Sequence, residues 1–181
     1  MDFRKDVLVR STATVSRNKW KYDADVLYEL DAELPLVPVL PAELNQVILN
    51  LIVNAADAIR EKHAKDETHR GEIVLRTYQD GLFAVIEVAD NGAGIPREAR
   101  QRVFDAFFTT KEVGKGTGQG LAISHDIIVN KHRGDIDVQT ETGEGTKFCV
   151  RLPLQGAQIS STDQQEEPVE SNADNPETVP V

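Results

Sequence analysis

Hydrophobic and polar positions along this chain follow two different periods, and each period predicts a different kind of element. A helical period predicts four helices, over residues 6–18, 41–62, 96–104 and 119–133. Pro35 and Pro38 break the pattern before the second helix, and Pro41 with Glu43 favours a helix start. Gly134 is typical of a residue that closes a helix, here the fourth.

Period-two alternation predicts the strands, over residues 21–31, 72–78, 82–90, 135–141 and 146–154. The second and third of these are joined by the short turn 79–81, and the last two by the turn 142–145, so both pairs are expected to be hairpins. Residues 63–71 are expected to form a charged loop, and residues 105–118 are glycine-rich and expected to be irregular. Strands gathered around helices predict an α+β fold, a two-layer sandwich whose mixed, mostly antiparallel sheet is covered on one face by helices.

Charge separates the end of the chain from the rest. The net charge of the 181 residues is −10, which argues against a nucleic-acid surface. From Gln155 onward the chain has six acidic residues, no Lys or Arg and few large apolar groups, so residues 155–181 are expected to be a disordered tail. We therefore expect an entry segment over residues 1–40, a core over residues 41–154 and this tail.

Cysteine content and hydropathy bear on the compartment. The single cysteine, Cys149, can form no internal disulfide and falls on a predicted strand, where it is expected to pack. No apolar run approaches the length of a membrane span, and the N-terminus has no signal-peptide pattern. A soluble, cytoplasmic chain is expected, and any membrane anchor would belong to a larger parent protein.

The helix predicted over residues 41–62 carries two asparagines four residues apart, Asn50 and Asn54. Asparagine is a poor interior helix former, because its side chain competes for backbone hydrogen bonds. With Gln46 and Asp57, the two asparagines form a polar stripe on one helix face. The stripe could be a solvated face of an amphipathic helix. It could instead present oxygen atoms to a hard cation such as magnesium, which is usually shared with substrate phosphates.

The segment VADNGAGIP, residues 88–96, places a carboxylate where a strand ends. Asn91-Gly92 could be a hairpin turn, but Ile95-Pro96 leads into a predicted helix and not into a strand. Asp90 could accept a hydrogen bond from an exocyclic amine while the glycine backbone lets a flat ring approach. Such an arrangement would favour adenine over guanine, whose carbonyl would face the carboxylate.

The segment GKGTGQG, residues 114–120, runs directly into the fourth predicted helix. Backbone amides at a glycine-rich helix start can bind an anion, although the sequence fits neither a Walker loop nor a Rossmann turn. A flexible surface loop is the alternative, and a mobile cover over phosphates would satisfy both interpretations. Lys111 and Lys115 flank the segment and could pair with phosphate oxygens or only solubilise the loop.

Five short motifs occur in one order: NLIVNA at residues 50–55, DNGAG at 90–94, FDAFFTTK at 104–111, GTGQGL at 116–121 and GEGT at 143–146. Together they resemble the conserved boxes of the sensor histidine kinase ATP-binding domain, in the superfamily of gyrase, Hsp90, histidine kinases and MutL. The resemblance covers roughly residues 40–154. It implies a Bergerat-type site for ATP and Mg²⁺ and the transfer of the γ-phosphoryl group to a histidine.

The resemblance also implies roles for individual residues. Asn54 would coordinate magnesium, Asn50 would lie near the phosphates, and Asp90 would read the adenine amino group. Asn50 and Lys111 are the expected catalytic residues. The other residues expected to bind the nucleotide are Asp57, Gly92, Gly94, Ile95, Lys115, Gly116, Thr117, Gly118, Gly120, Leu121 and Thr146. Phe104, Phe107 and Phe108 would anchor the segment over the phosphates.

A phosphoacceptor histidine is also required, and none of the four histidines fits that role well. His125-Asp126 resembles an acceptor pair, but it lacks the proline expected soon after and the context of a helical hairpin. The acceptor is therefore expected on a dimerisation domain outside this chain, and a response regulator would be the downstream partner. The isolated chain is expected to be a monomer and its parent a homodimer.

Position 50 bears on the choice between transfer and hydrolysis. ATPases of the resembled superfamily carry a glutamate there, and an amide cannot take a proton from water. Slow hydrolysis and competent transfer are therefore expected. An anti-sigma-type serine kinase or a non-catalytic ATP-sensing module of the same superfamily remains an alternative. A topoisomerase or chaperone ATPase module is disfavoured by Asn50 and by the shortness of the glycine-rich segment.

Overall fold

Five strands form one sheet. In order across the sheet they are β2 Ala24–Leu30, β4 Gly71–Asp80, β5 Phe83–Asp90, β7 Gly145–Pro153 and β6 Asp135–Glu141. The structure is a computed structural model, and it describes residues 2–3, 5–64, 69–109 and 116–155. Strands β2 and β4 are parallel, and all other neighbours in the sheet are antiparallel. The two remaining strands are β1 Asp2–Phe3 and β3 Val37–Pro38.

Helices cover one face of this sheet, as the sequence predicts. The α-helices are α1 Lys5–Val15, α2 Arg17–Trp20, α3 Pro41–Lys62 and α4 Gly120–Asp126, and α4 continues as a π-helical turn over Ile127–Lys131. The predicted α+β sandwich with a mixed, mostly antiparallel sheet is confirmed. The two-residue strands β1 and β3 form a separate antiparallel pair, which the sequence does not predict because so short a segment carries no periodicity.

Helix α3 lies at the centre of the core. Its apolar side packs on the sheet, and each fully buried Leu or Ile side chain contributes about 1.5–3 kcal/mol. The largest buried side chains of this contact are Leu44, Ile48, Leu51, Ile52 and Ile59 from α3, with Ile73, Leu75, Ile86 and Leu152 from the sheet. Leu8, Val9 and Ala13 of α1 belong to the same core. The expected boundary at residue 40 stays a prediction, and the tail predicted beyond Gln155 lies outside the described residues.

Three predicted helices differ from the structure. The helix predicted over residues 6–18 divides at Ser16 into α1 and α2. Residues 96–104 form turns and only a short 3₁₀ helix, Arg100–Arg102. A nine-residue segment must offset the cost of helix nucleation with few hydrogen bonds. Of its side chains, Ala99 and Val103 are buried and Phe104 is half-buried. The helix predicted over residues 119–133 changes register after Asp126 and ends in the π-helical turn, where His132 N–H donates to Ile127 O at 3.2 Å.

The other face of the sheet carries a buried carboxylate, Glu87, which is only 4% exposed. It accepts hydrogen bonds from Arg76 at 3.3 Å, from the Tyr78 hydroxyl at 3.2 Å and from Cys149 Sγ at 3.4 Å. Lys147 Nζ lies 3.6 Å away. Burial raises the pKa of the Cys149 thiol to about 11, so the thiol stays protonated and packs against its neighbours.

Candidate nucleotide-binding site

Asn50 connects α3 to the start of α4. Its Nδ2 atom donates to Gly120 O at 3.0 Å and to Ser124 Oγ at 3.3 Å. Ser124 is fully buried, and its hydroxyl donates in turn to Gly120 O at 2.8 Å. Both hydrogens of the Asn50 carboxamide are thereby used, which orients the side chain and leaves Oδ1 as its acceptor.

The other residues of the predicted polar stripe do not share one environment. Asn54 is half-buried one turn after Asn50 on the same side of α3. Asp57 is also half-buried, and its Oδ1 accepts from Arg60 Nη1 at 2.8 Å, while Arg60 also binds Asp23 through two hydrogen bonds. Gln46 is exposed and lines a groove beside α1, so it does not join the asparagines in one site.

Asp90 ends strand β5 and points to the helix-covered side of the sheet. Its Oδ1 accepts the Gly92 N–H at 2.8 Å, and its carboxylate also accepts the Thr146 N–H. Burial outweighs these hydrogen bonds and raises the pKa of Asp90 to about 6. At neutral pH the carboxylate is ionised, and it is therefore a strong acceptor for a ligand N–H group.

The glycines after Asp90 let the turn lie directly against its neighbours. A Cβ atom on Gly92 would lie 2.6 Å from the carbonyl carbon of Ala58 in α3. Gly94 has a φ of +70° and lies against the backbone of Glu141. The Ala93 N–H donates to Ala58 O at 3.0 Å, and the Ala93 carbonyl accepts from Gly143 N at 2.7 Å. The turn is thus held between α3 and the β6–β7 hairpin.

Thr140, which belongs to none of the five sequence motifs, completes this region. Thr140 Oγ1 accepts the Ile95 N–H at 2.9 Å, donates to Gly145 O at 2.9 Å and lies 3.0 Å from Thr146 Oγ1. Thr140 and Thr146 are direct partners in the β6–β7 register. The period-two pattern places Thr140 on the covered face of β6, but its partners follow only from the three-dimensional structure.

The glycine-rich segment reaches the site from the other side. Gly116 and Gly118 are half-buried and Thr117 is exposed, while Gly120 begins α4 beside Asn50. Gly118 has a φ of +65°, and its carbonyl accepts the Phe107 N–H at 2.9 Å. Lys111 and Lys115, both predicted to bind phosphate, lie outside the described residues.

Apolar residues near the site follow the predicted pattern in part. Ile95 and Leu121 are half-buried and pack against the core. Phe104 also packs there, with its ring centroid 6.5 Å from that of Phe148 and 5.4 Å from that of His125. Phe107, by contrast, is 72% exposed. Phe108 is half-buried, and the Arg102 guanidinium lies 4.5 Å from its ring centroid.

The histidines have structural partners. His132 is buried, with Nε2 accepting the Leu40 N–H at 3.0 Å and Nδ1 lying 2.8 Å from Ile127 O. This pattern requires a neutral ring that donates from Nδ1, because Nε2 serves as the acceptor. The His125 ring lies against that of Phe104 at an interplanar angle of 43°, and the His63 and His69 rings stack at 3.7 Å.

The available donors suit a cation that is shared with phosphate. In residues 5–64, 69–109 and 116–155, no group of three or more His, Cys, Asp or Glu side chains could hold a metal ion. The orientation of Asn50 leaves its Oδ1 oxygen for a water or an ion, and Asn54 follows on the same side of the helix. Neutral oxygen donors in this number fit Mg²⁺, which keeps several waters and takes its remaining ligands from a nucleotide.

Fold and site together define a nucleotide-binding domain of the two-layer α+β class, with an asparagine-bearing helix facing glycine-rich backbone. The family model described as "Histidine kinase-, DNA gyrase B-, and HSP90-like ATPase" matches residues 40–156. The chain belongs to this ATPase family, as the resemblance of the five motifs predicts.

Curated relatives include signal transduction and sensor kinases. The signal transduction histidine-protein kinase AtoS of Escherichia coli is 39% identical over 149 residues, covering 82% of this chain and 22% of AtoS. The sensor kinase CckA of Brucella abortus is 38% identical, covering 71% of this chain and 14% of CckA. The chain therefore spans less than a quarter of the length of either relative.

The same fold occurs in solved structures of histidine kinases. The catalytic domain of the histidine kinase ThkA superposes with a TM-score of 0.71 at 29% identity, covering 86% of this chain and 97% of that domain. Full-length ShkA in complex with AMPPNP superposes with a TM-score of 0.68 at 26% identity, covering 87% of this chain and 31% of ShkA. None of the helices in the described part of this chain is long and apolar enough to cross a membrane.

Proposed function

We propose that this chain is the catalytic domain of a two-component sensor histidine kinase, which binds ATP with Mg²⁺ and transfers the γ-phosphoryl group to a histidine. The observation that carries this proposal is the hydrogen bond from Asn50 Nδ2 to Gly120 O at 3.0 Å. It brings the asparagine helix against the start of α4 and leaves a neutral oxygen where hydrolytic relatives are expected to have a carboxylate. The matches to sensor kinases support the same assignment.

The base-binding end of the site would consist of Asp90, Thr146 and the glycine turn. Asp90 accepts backbone hydrogen bonds from Gly92 and Thr146, which fix the carboxylate in one orientation. Its ionised form at neutral pH would accept a hydrogen bond from the adenine amino group. Gly92 and Gly94 would leave room for the ring, and Ile95 and Leu121 would supply apolar contacts.

The phosphate-binding end would consist of the asparagines and the glycine-rich segment. Asn54 would hold Mg²⁺, and Asn50 would orient a water or a phosphate through Oδ1. Asp57 would support this end from the next turn of α3. Mg²⁺, when bound with the nucleotide, supplies neutralisation of phosphate charge. The remaining phosphate contacts would come from Lys111, Lys115, Gly116, Thr117, Gly118 and Gly120.

The residues favour transfer over hydrolysis for a chemical reason. Phosphoryl transfer requires positioning and charge stabilisation more than covalent work from the protein. Hydrolysis requires a base that takes a proton from water, and the Asn50 carboxamide cannot do so. An imidazole attacks through a neutral nitrogen lone pair and needs no such base. The acceptor histidine would be supplied by a dimerisation domain, and a response regulator would receive the phosphoryl group.

The compartment and assembly follow from the same assignment. The catalytic domain would act in the cytoplasm, where ATP is available, whether or not its parent is anchored in a membrane. The isolated chain would be a monomer, and the parent kinase would dimerise through the domain that carries the acceptor histidine. We propose no role for nucleic acid.

A trans-phosphorylation assay tests the proposal. The chain is incubated with Mg²⁺, γ-labelled ATP and a separate dimerisation-domain polypeptide that carries the acceptor histidine of a relative. We expect label on the histidine, recognised because phosphohistidine is labile in acid and stable in base. Asn54→Ala should abolish labelling. Asn45→Ala is the matched control, because Asn45 lies on the same helix but accepts from Thr12 of α1.

Two results would contradict the assignment. Rapid ATP turnover without transfer would show an ATPase, and acid-stable label would show a serine or threonine kinase. If a non-hydrolysable adenosine triphosphate analogue does not bind in excess Mg²⁺, the proposed nucleotide site is wrong.

A further inference from the structure

A row of three polar side chains crosses the covered face of the sheet at one end. Asp90 pairs directly with Thr146 across strands β5 and β7, and Thr146 pairs directly with Thr140 across β7 and β6. Directly opposed side chains lie about 4.5–5.5 Å apart at Cβ and so interact. Thr146 is 6% exposed, and Thr140 is half-buried. Burial makes the direction of each hydroxyl proton matter, because an unpaired donor or acceptor there is costly.

The partners of Thr140 fix the direction of its proton. A hydroxyl offers one hydrogen and two acceptor lone pairs. The Ile95 N–H, 2.9 Å away, can only donate to Thr140 Oγ1, and Gly145 O, also 2.9 Å away, can only accept from it. The single hydrogen of Thr140 therefore goes to Gly145 O, because directing it elsewhere would leave two oxygen acceptors facing each other at 2.9 Å.

The proton of Thr146 is then fixed as well. Its Oγ1 lies 3.0 Å from Thr140 Oγ1, whose own hydrogen is already used. Thr146 must therefore be the donor of this bond, and it fills the second lone pair of Thr140. The oxygen of Thr146 keeps lone pairs but has no further hydrogen, so toward any ligand beside Asp90 it can only accept.

We propose that Thr140 is a specificity-determining positioning residue, which orients the hydroxyl of Thr146 so that Asp90 and Thr146 together form an edge made only of acceptors. The inference rests on the proposed ATP site and names a residue that acts on the base through its neighbour. An edge of acceptors matches an exocyclic amine, which offers two N–H groups directly or across one water. It opposes a carbonyl at the same position, because a carbonyl offers no hydrogen.

Thr140 also accepts a hydrogen bond from the Ile95 N–H, in the turn that would bind the base. The base-binding turn and the Thr146 hydroxyl share one partner, so a single side chain sets both the position of the turn and the polarity of the edge. Without the Thr140 hydroxyl, Thr146 could rotate and donate toward a carbonyl. Discrimination between amino and carbonyl purines should then fall, while the Asp90 carboxylate remains in place.

The test is the ratio of affinities for two nucleotides. Non-hydrolysable analogues of adenosine and guanosine triphosphate are titrated calorimetrically in excess Mg²⁺ against the whole chain, Thr140→Val, Thr140→Ser and Thr77→Val. We expect Thr140→Val to lower the adenosine-over-guanosine ratio about tenfold, as a misdirected hydrogen bond would. Thr140→Ser should restore the ratio. Thr77→Val is the matched control, since Thr77 is a buried strand threonine that accepts the Asp31 N–H at 3.0 Å, away from Asp90.

The outcomes separate this inference from the proposed function. Equal loss of affinity for both analogues in Thr140→Val, with an unchanged ratio, would overturn the inference and leave the ATP site standing. No binding of the adenosine analogue by the unmodified chain would overturn both.

A second measurement covers the case in which Thr140→Val does not fold. In the unmodified chain, NMR should show a slowly exchanging Thr146 hydroxyl proton with a through-space contact to Thr140. A Thr140 hydroxyl proton directed at Thr146 would overturn the inference.

Discussion

Asn50 Nδ2 lies 3.0 Å from the carbonyl oxygen of Gly120, the first residue of α4. This hydrogen bond joins the helix that would hold the metal to the helix that would receive the phosphates. Ser124, one turn further along α4, accepts from the same nitrogen and donates to the same carbonyl. Three groups thus form one closed set of hydrogen bonds, and the orientation of the carboxamide depends on all of them.

Replacing Ser124 by alanine should therefore weaken Mg²⁺-dependent binding as well as stability. The variant removes one acceptor from Asn50 Nδ2 and lets the carboxamide reorient. We expect ATP affinity in Mg²⁺ to fall about fivefold to tenfold, with a stability loss of about 1 kcal/mol. Calorimetry with and without Mg²⁺ measures the first quantity, and denaturant unfolding measures the second.

Ser16→Ala is the matched control for this change. Ser16 is also a buried serine, at the junction of α1 and α2, and its hydroxyl donates to the carbonyl of Thr12 in α1, four residues earlier, at 2.8 Å. It should lose a similar free energy of unfolding and bind ATP normally. If both variants bind ATP equally well in Mg²⁺, the orientation of Asn50 does not depend on Ser124.

Asp90 predicts a pH dependence of nucleotide affinity. Burial raises its pKa to about 6, so lowering the pH through 6 protonates the group that accepts from the base. ATP affinity should therefore weaken below pH 6, by up to about tenfold for each pH unit. Asp90→Asn should bind weakly at all pH values and lose this dependence. Comparing the two proteins removes the ionisation of ATP itself, and parallel pH profiles would contradict the role of Asp90.

The same shifted pKa predicts that Asp90 destabilises the unliganded domain at neutral pH. Its pKa rises from an unfolded value of 3.8 to about 6, so stability is fully present below about pH 4 and is lost as the pH rises to 6. Asp90→Asn lacks this loss and can still accept backbone N–H groups through Oδ1. The variant should gain up to about 3 kcal/mol above pH 6 and nothing near pH 4.

Urea unfolding of both proteins from pH 4 to pH 8 measures this difference. A constant difference across the range, or a variant that is less stable at pH 7, would show that the carboxylate is not strained by burial. Taken with the affinity profile, the expected result would identify Asp90 as a residue kept for binding at a cost in stability.

Local patterns were sufficient to predict α3, but not the partners of its polar residues. The helix occupies Pro41–Lys62, as expected, because a proline at its first turn, an acidic residue nearby and an unbroken apolar period all agree. The bond from Asn50 to Gly120 joins residues 70 positions apart, and no local pattern encodes that distance in sequence. The order of the five motifs along the chain, and not any single element, predicts the function.

Other elements show where local patterns fail. The π-helical turn over Ile127–Lys131 shifts the register of a helix whose apolar pattern looks regular, so only packing reveals it. Thr140 lacks any motif of its own, since its role depends on the register in which β6 pairs with β7. Asp57 and Gln46 belong to the same predicted polar stripe but have different surroundings. Asp57 binds Arg60, whereas Gln46 lines a groove beside α1.

Gly145 and Gly143 lie in the same turn, but only at Gly145 would a Cβ atom meet neighbouring backbone. Gly145 has a φ of +137°, and a Cβ atom there would meet the Asp90 carbonyl and lie 3.0 Å from Asn91 Cα. Alanine would therefore have to displace the backbone that carries Asp90. Gly145→Ala should cost about 3 kcal/mol or more of stability and weaken ATP binding further than that loss explains.

Gly143→Ala is the control, because Gly143 also has a positive φ, +86°, but a Cβ atom there meets nothing within 4 Å. It should cost only about 1 kcal/mol, from backbone strain, and leave ATP affinity unchanged. Unfolding and calorimetric titration of both variants give the comparison. Since both substitutions strain the same turn, a loss of ATP binding only in Gly145→Ala would locate the effect at Asp90, whereas equal losses would assign it to the turn as a whole.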